Sequence, residues 1–314
     1  LFGLPRSIPP AFAPAFSGYL PYPQKHAGMP QFWARPSRPC PGTGMISSRH
    51  FPDDWQGNFL NCNVIGFQGI FRVKVTEDGS GLKGETLEDL VKSDDPNFRP
   101  SAVSCAPDGS IYFLDWSKQL IGHLQHHIRD PNRDHQHGRI YRLTYEGRPL
   151  LTPPKVFGES VAGLLELLKS PEDDVRTRAK VELGKHEAKE VIAAVNKWAA
   201  GLDEKDSNFE HHRSEALWVH QWHNVVDQGL LEERLASPDH RSRAAATRVL
   251  CYWRDRVPSA LDLLRKMAAD PHPRVRLEAI RAASFFTVPE AAEVPIIAAE
   301  FPGDVYLDYI QKET

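Results

Sequence analysis

Three prolines constrain this chain more than any other feature. Pro171, Pro238 and Pro271 each sit in a Ser-Pro or Asp-Pro turn, 67 and then 33 residues apart, so the longer gap holds two of the shorter periods. An apolar run of helical period precedes each turn, and an arginine-bearing run of the same period follows: VAGLLELLK before DDVRTRAKVELGKH, ERLA before DHRSRAAATRVLCYW, LLRKMAAD before HPRVRLEAIRAASFF. Proline cannot continue a helix, so each turn separates two helices. A lone amphipathic pair cannot bury its apolar face. Such pairs must stack.

The gap between Pro171 and Pro238 accommodates one more divergent pair, VIAAVNKWAAGLD and HHRSEALWVHQWHNV. Helix, Ser/Asp-Pro turn, then Val-Arg opening the next helix is the pattern of a HEAT-type repeat. Residues 159–314 are therefore expected to form an α-solenoid of HEAT-like repeats, with 291–310 starting a further unit or a cap. Arg241, Arg243, Arg274 and Arg276 recur at repeat positions and read as structural. His220 and His223 are spaced like a ligand pair, but no third partner is evident, so they read as helix surface or core.

Before Pro154 the period changes to two. Residues 58–64, 69–75, 101–106, 110–116 and 139–145 alternate β-branched and aromatic side chains and read as strands. FRVKVTEDG and YRLTYEG align at Arg72 and Arg142, 70 residues apart. Removing a twenty-residue insertion leaves roughly 50, within the size range of a propeller blade. Residues 82–92 read as a short helix or as the outer part of such a unit. Residues 1–52 hold eleven of the 26 prolines and read as irregular, with aromatics interleaved. The expected organisation is β plus α: 1–150 the last blades of a partial β-propeller, 151–158 a linker, 159–314 the helical repeats. Two blades cannot close a ring, and the chain starts at Leu1, so a fragment of a longer protein is expected.

The chemistry gathers between residues 97 and 145. Pro107-Asp108-Gly109 makes a tight turn between two strands. Hairpin geometry then puts Arg99 and Asp115 at one edge. From that edge the chain leaves for residues 117–137 and returns at Arg139. The excursion carries His123, His126, His127, Arg129, Asp130, Arg133, Asp134, His135 and His137, so the edge and the excursion together form the candidate ligand face. Three readings stand side by side. The imidazoles and carboxylates suit a metal, with His135 and His137 sharing one face of extended backbone. One histidine suits a general base. Alternatively the loop is held by Asp–Arg pairs and side-chain-to-backbone bonds. Arg99 suits an anionic ligand or a salt bridge that closes the sheet unit.

Composition excludes some classes. At 41% hydrophobic and 25% charged, the chain can bury a core, and a net charge of −3 without a basic block argues against nucleic acid. The four cysteines make no CxxC, CxxCH or zinc spacing, and no apolar run approaches a membrane span or forms a signal peptide.

FRPSAVSCAPDGSIYFLDW followed by IGHLQHHIRDPNRDHQHGRIYRLTY resembles the PVC-type membrane-bound dehydrogenase family, and HFPDDWQGNFL resembles a blade segment of the same propeller superfamily. That family resembles the glucose/sorbosone dehydrogenases. The resemblance implies a six-bladed propeller followed by HEAT-like repeats and often by a haem-binding cytochrome c domain. It also implies a periplasmic or cell-surface location, a sugar or alcohol substrate, pyrroloquinoline quinone (PQQ) with calcium as cofactor, and a cytochrome c-type electron acceptor. Ser117-Lys118-Gln119 departs from the aromatic-Asn-Pro-like sequence expected there, and no haem motif is present. The family's base histidine lies in earlier blades, hence upstream of Leu1, so this piece is expected to be inactive alone. The rival expectations are a non-catalytic module that binds a protein or polysaccharide, and a metal-binding propeller.

Overall fold

The computed structural model describes residues 31–34, 36, 40–119, 130–131 and 134–313. They fall into two compact units. A sheet unit comprises residues 33–76 and 83–182; a helical unit comprises 183–313 together with 31–32 and 77–82.

The sheet unit is antiparallel. Strands β1 (Thr43–Met45), β2 (Phe59–Asn63), β3 (Gly69–Asp78) and β4 (Gly81–Thr86) follow one another in space, and β5 (Val91–Lys92) also pairs with β3. Strands β6 (Pro100–Cys105), β7 (Ile111–Asp115) and β8 (Arg139–Leu143) form a second sheet in chain order. Among the described residues neither sheet closes on itself. Side chains of period two from both sheets meet in one core: Ile46, Phe51, Leu60, Cys62, Ile70, Phe98, Val103, Ile111 and Phe113. Each large apolar side chain buried there contributes about 1.5–3 kcal/mol.

Of the two forms expected for residues 82–92, outer strands are found and a helix is not: β4 and β5 pair with β3. One expectation changes. Residues 1–52 are not irregular throughout, because β1 pairs with β2. Gly42 and Gly44 explain the strand: a Cβ on either would fall within 3.0 Å of a backbone oxygen of Ser101 or Val103. Close approach of two backbones, rather than side-chain pattern, makes β1.

His50 and Gln56 fasten this unit. Buried His50 uses both ring nitrogens: Nδ1 lies 2.9 Å from the carbonyl of Pro149, and Nε2 accepts the N–H of Tyr145 at 2.8 Å. The amide of Gln56 donates to the carbonyls of Ser48, Phe51 and Pro52 and accepts the N–H of Ser48. Helices α1 (Val161–Leu167) and α2 (Asp173–Leu183) begin within the sheet unit. Their turn is tied to it where Asp173 N donates to Ser47 Oγ at 2.8 Å and Arg49 N donates to Glu172.

The helical unit continues with α3 (Ala188–Ala200), α4 (Phe209–Trp222), α5 (Gln228–Leu235), α6 (His240–Trp253), α7 (Ala260–Ala268), α8 (Pro273–Ala283), α9 (Glu293–Ala299) and α10 (Val305–Glu313). Start signals are local: Asp227 caps α5, Asp239 caps α6, and the His272 ring caps α8 with Pro273 behind it. The stripes Val191/Val195/Trp198, Leu231/Leu235, Val249/Leu250/Trp253, Leu263/Leu264 and Val275/Ile280 are buried. No described helix is long and apolar enough to cross a membrane.

Of the recurring arginines, Arg243 and Arg276 share one job with Arg176, whereas Arg241 pairs with Asp239 and Arg274 with Glu278. Arg176, Arg243 and Arg276 each donate through Nη1 to the carbonyl six residues earlier: Ser170 at 2.6 Å, Ser237 at 2.9 Å and Asp270 at 2.8 Å. Within the helical unit each also reaches the next turn. Arg243 grips the Asp270 carboxylate with two nitrogens, and Arg276 donates to the carbonyl of Pro302. The guanidinium fork spans two turns at once, which a lysine cannot do. Arg276→Ala is therefore expected to cost about 2–3 kcal/mol, read from the urea midpoint, with no rescue by Arg276→Lys.

Candidate functional site

The hairpin β6–β7 pairs Pro100 with Asp115, and β7–β8 pairs Asp115 with Arg139, so Arg99, Asp115 and Arg139 meet at one sheet edge. Asp115 is the centre. Its side chain is 0% exposed. Oδ1 accepts the backbone N–H of Arg99 at 2.7 Å and of Ser117 at 2.8 Å. Oδ2 lies 2.7 Å from Arg139 Nε, close but not aligned as a hydrogen bond. Ser117 takes a left-handed backbone with φ 52°, which turns the chain out of β7 into the excursion.

Arg99 lies buried beneath. It donates to the carbonyls of Phe98 at 2.9 Å and Gln119 at 3.3 Å. Burial pulls its pKa down, opposed by the charges of Asp115 and Asp95. Arg139 donates from Nη1 to Asp95 Oδ2 at 2.7 Å, and that bond holds its pKa up against desolvation. The carboxyl of Asp95 is held below its ordinary value, first by the Asn97 N–H and then by Arg139. Two guanidinium atoms remain over: Arg99 Nε and Arg139 Nη2 are buried and carry no hydrogen-bond partner among the described residues. Among the described residues the edge thus offers two guanidinium nitrogens without an acceptor in a frame of balanced charge.

The returning end of the excursion is an Asx turn. Asp134 Oδ1 accepts the N–H of Gln136 and His137, while Oδ2 lies 2.8 Å from His137 Nδ1. The Gln136 N–H, above all, lowers the Asp134 carboxyl pKa. His135 and His137 are exposed, Asp130 is half-buried, and among the described residues His135 and His137 join no cluster of three ligand groups. His123, His126, His127, Arg129 and Arg133 lie outside the described residues.

Sequence reasoning placed Arg99, Asp115 and Arg139 at this edge and missed Asp95. Its signal was the Asp-Pro-Asn turn just before Arg99: Asp95 Oδ1 accepts the Asn97 N–H at 2.8 Å, which aims the other oxygen at Arg139.

Comparison with known families finds two matches. Residues 33–147 match the model for a domain of unknown function, DUF7133, and residues 228–294 match the model for HEAT repeats. The first takes in the whole edge described above; the second runs from α5 into α9. No curated protein and no solved structure matches the chain.

Proposed function

We propose that this chain is the propeller-and-repeat portion of a quinone-dependent sugar or alcohol dehydrogenase, and that the Arg99–Asp115–Arg139 edge is the floor of its ligand face. The observation that carries the reading is the pair of guanidinium nitrogens, without an acceptor among the described residues, at the foot of a histidine-rich excursion. Buried donors without acceptors are costly unless something fills them, and carboxylate or ketone oxygens fit guanidinium geometry.

The fit to the implied cofactor is one-sided. The free donors suit the oxygens of an anionic quinone such as PQQ. For calcium the described residues offer no oxygen cage, because Asp95 and Asp115 are already engaged by arginines and backbone N–H groups. The roles left to this chain are binding and orientation. Arg99 and Arg139 hold ligand oxygens, and Asp115 holds the Arg139 guanidinium and the Arg99 backbone in place.

A second observation supports the propeller part. Tyr112, Leu114 and Ile140 are exposed on the outer face of β7–β8, with Leu114 directly opposite Ile140. A sheet apolar on both faces needs a further layer, as blades do in a propeller. The supply of electrons to a cytochrome and the periplasmic or cell-surface location belong to the same proposal.

In full-length protein, PQQ titration is expected to quench tryptophan fluorescence, through Trp116 at the edge, and sugars or alcohols to drive dye reduction. Arg139→Ala is expected to weaken quinone binding by about 10-fold or more, the value of a charged hydrogen bond. No quench and no dye reduction in wild type would remove the redox reading.

The second reading is a protein-docking module. Tyr252 and Phe285, one 33-residue repeat apart, are both exposed, and Arg254 and Arg281 lie over the Phe285 ring. Aromatic and arginine side chains together favour a protein interface. A partner retained by wild type and lost with Phe285→Ser, without quinone binding, would favour it.

A further inference from the structure

The tip of the β3–β4 hairpin, residues 77–82, belongs to the helical unit and is held there from three sides. Asp304 accepts both the N–H and the hydroxyl of Ser80, at 2.6 and 2.7 Å. Tyr306 donates to the carbonyl of Leu82, and Arg274 donates to the carbonyl of Ser80. A Cβ at Gly79 or Gly81 would run into Asp304 or Tyr306, so the tip is closely seated. This seating fixes Glu77. Its Oε2 lies 3.0 Å from Nε2 of His240, the first residue of α6. The His240 ring in turn stacks on His272, the N-cap of α8, with centroids 3.6 Å apart.

We propose that Glu77, His240 and His272 form a divalent transition-metal site of zinc type, with a solvent position open, that pins the hairpin tip to the first turns of α6 and α8. One ligand atom from each residue lies within 4.8 Å of the others, and no other such group of three occurs among the described residues. Two imidazoles and one carboxylate are a donor set for zinc with a fourth place left for water. The surroundings leave these three groups available. Asp239 is taken by Arg241, and Asp270 by Arg243. That leaves Glu77 as the carboxylate facing the rings. Asp239 Oδ1 lies 3.9 Å from His240 Nδ1, beyond hydrogen-bond reach, on the side of the ring away from Nε2. Ligation turns one ring out of the stack. It also competes with the bond in which His272 Nδ1 accepts the Arg274 N–H at 3.2 Å.

That competition supplies the test. Asn at position 272 is a better helix cap than His, so His272→Asn keeps α8 and removes a ligand. Glu77→Gln removes another at an exposed position. The protein, stripped with a chelator, is titrated with zinc by calorimetry and with cobalt by visible absorption. Circular dichroism of each variant checks the fold. The expected result is one ion bound with a cobalt d–d band, and a loss of at least ~10-fold in affinity in each variant. His135→Ala and His137→Ala are expected to leave this site unchanged, which separates it from any ion held by the excursion. Absence of binding, or binding unaffected by both Glu77→Gln and His272→Asn, leaves a plain Glu–His ion pair beside a helix cap and overturns the proposal.

Discussion

Asp115→Ala is expected to lose about 3–5 kcal/mol of folding stability, the cost of removing one partner from a buried ion pair. The side chain is wholly inaccessible, so water cannot take its place. Its loss strands the N–H groups of Arg99 and Ser117 and leaves Arg139 facing Asp95 alone. At roughly 2–4 °C per kcal/mol for a unit of this size, the sheet unit's melting point should fall by about ten degrees. Asp115→Asn keeps an oxygen for the two N–H groups and loses only the charge, so its loss should be smaller. Asp95→Ala is the control. Asp95 reaches Arg139 from a partly exposed position, where solvent screens an ion pair, so its loss should cost far less. Equal melting points for Asp115→Ala and Asp95→Ala would show that the buried carboxylate does not organise the edge.

That edge was largely legible in the sequence, for a local reason. A Pro-Asp-Gly turn between two alternating runs fixes a hairpin register, and the register alone puts Arg99 and Asp115 side by side. The strand β8 and the helix pairs were legible for the same reason: their periods are written within a dozen residues. What the sequence hid depends on distant partners. For residues 82–92 the sequence left helix and outer strand open, and the edge that β3 offers decides for pairing. β1 is too short to show a period; it exists because Gly42 and Gly44 let it approach the backbone at residues 101–103. The recurring arginines were visible as a period, but not the carbonyls they bind. His240 and His272 stand at successive repeat turns, a spacing that repeat stacking turns into contact, yet the sequence reading passed over both. Nothing near Glu77 announced that a hairpin tip would deliver it to them.

Acid should weaken the helical unit through Glu278, and this is the second large effect expected. Glu278 is buried among Arg248, Arg274 and Arg281; Arg281 Nε donates to it at 2.9 Å, and Arg248 is hydrogen-bonded to the other oxygen. Burial alone would raise its carboxyl pKa; Arg248 and Arg281 more than reverse this and hold it below the ordinary 4.5. A group whose folded pKa is depressed favours folding fully above its unfolded pKa. That contribution is lost as pH falls through the folded value. The stability of wild type should therefore decline from about pH 4.5 downward, near the unfolded glutamate pKa. Glu278→Gln cannot protonate, so its curve should lie below wild type at pH 7 and approach it as the solution is acidified. Glu278→Ala should cost about 3 kcal/mol at pH 7, the low end for breaking a buried pair, because Arg248 and Arg274 reach water and can be solvated there. Urea midpoints of the three proteins between pH 3 and pH 7 decide the matter: parallel curves would mean that Glu278 is not the group whose protonation loosens the repeats.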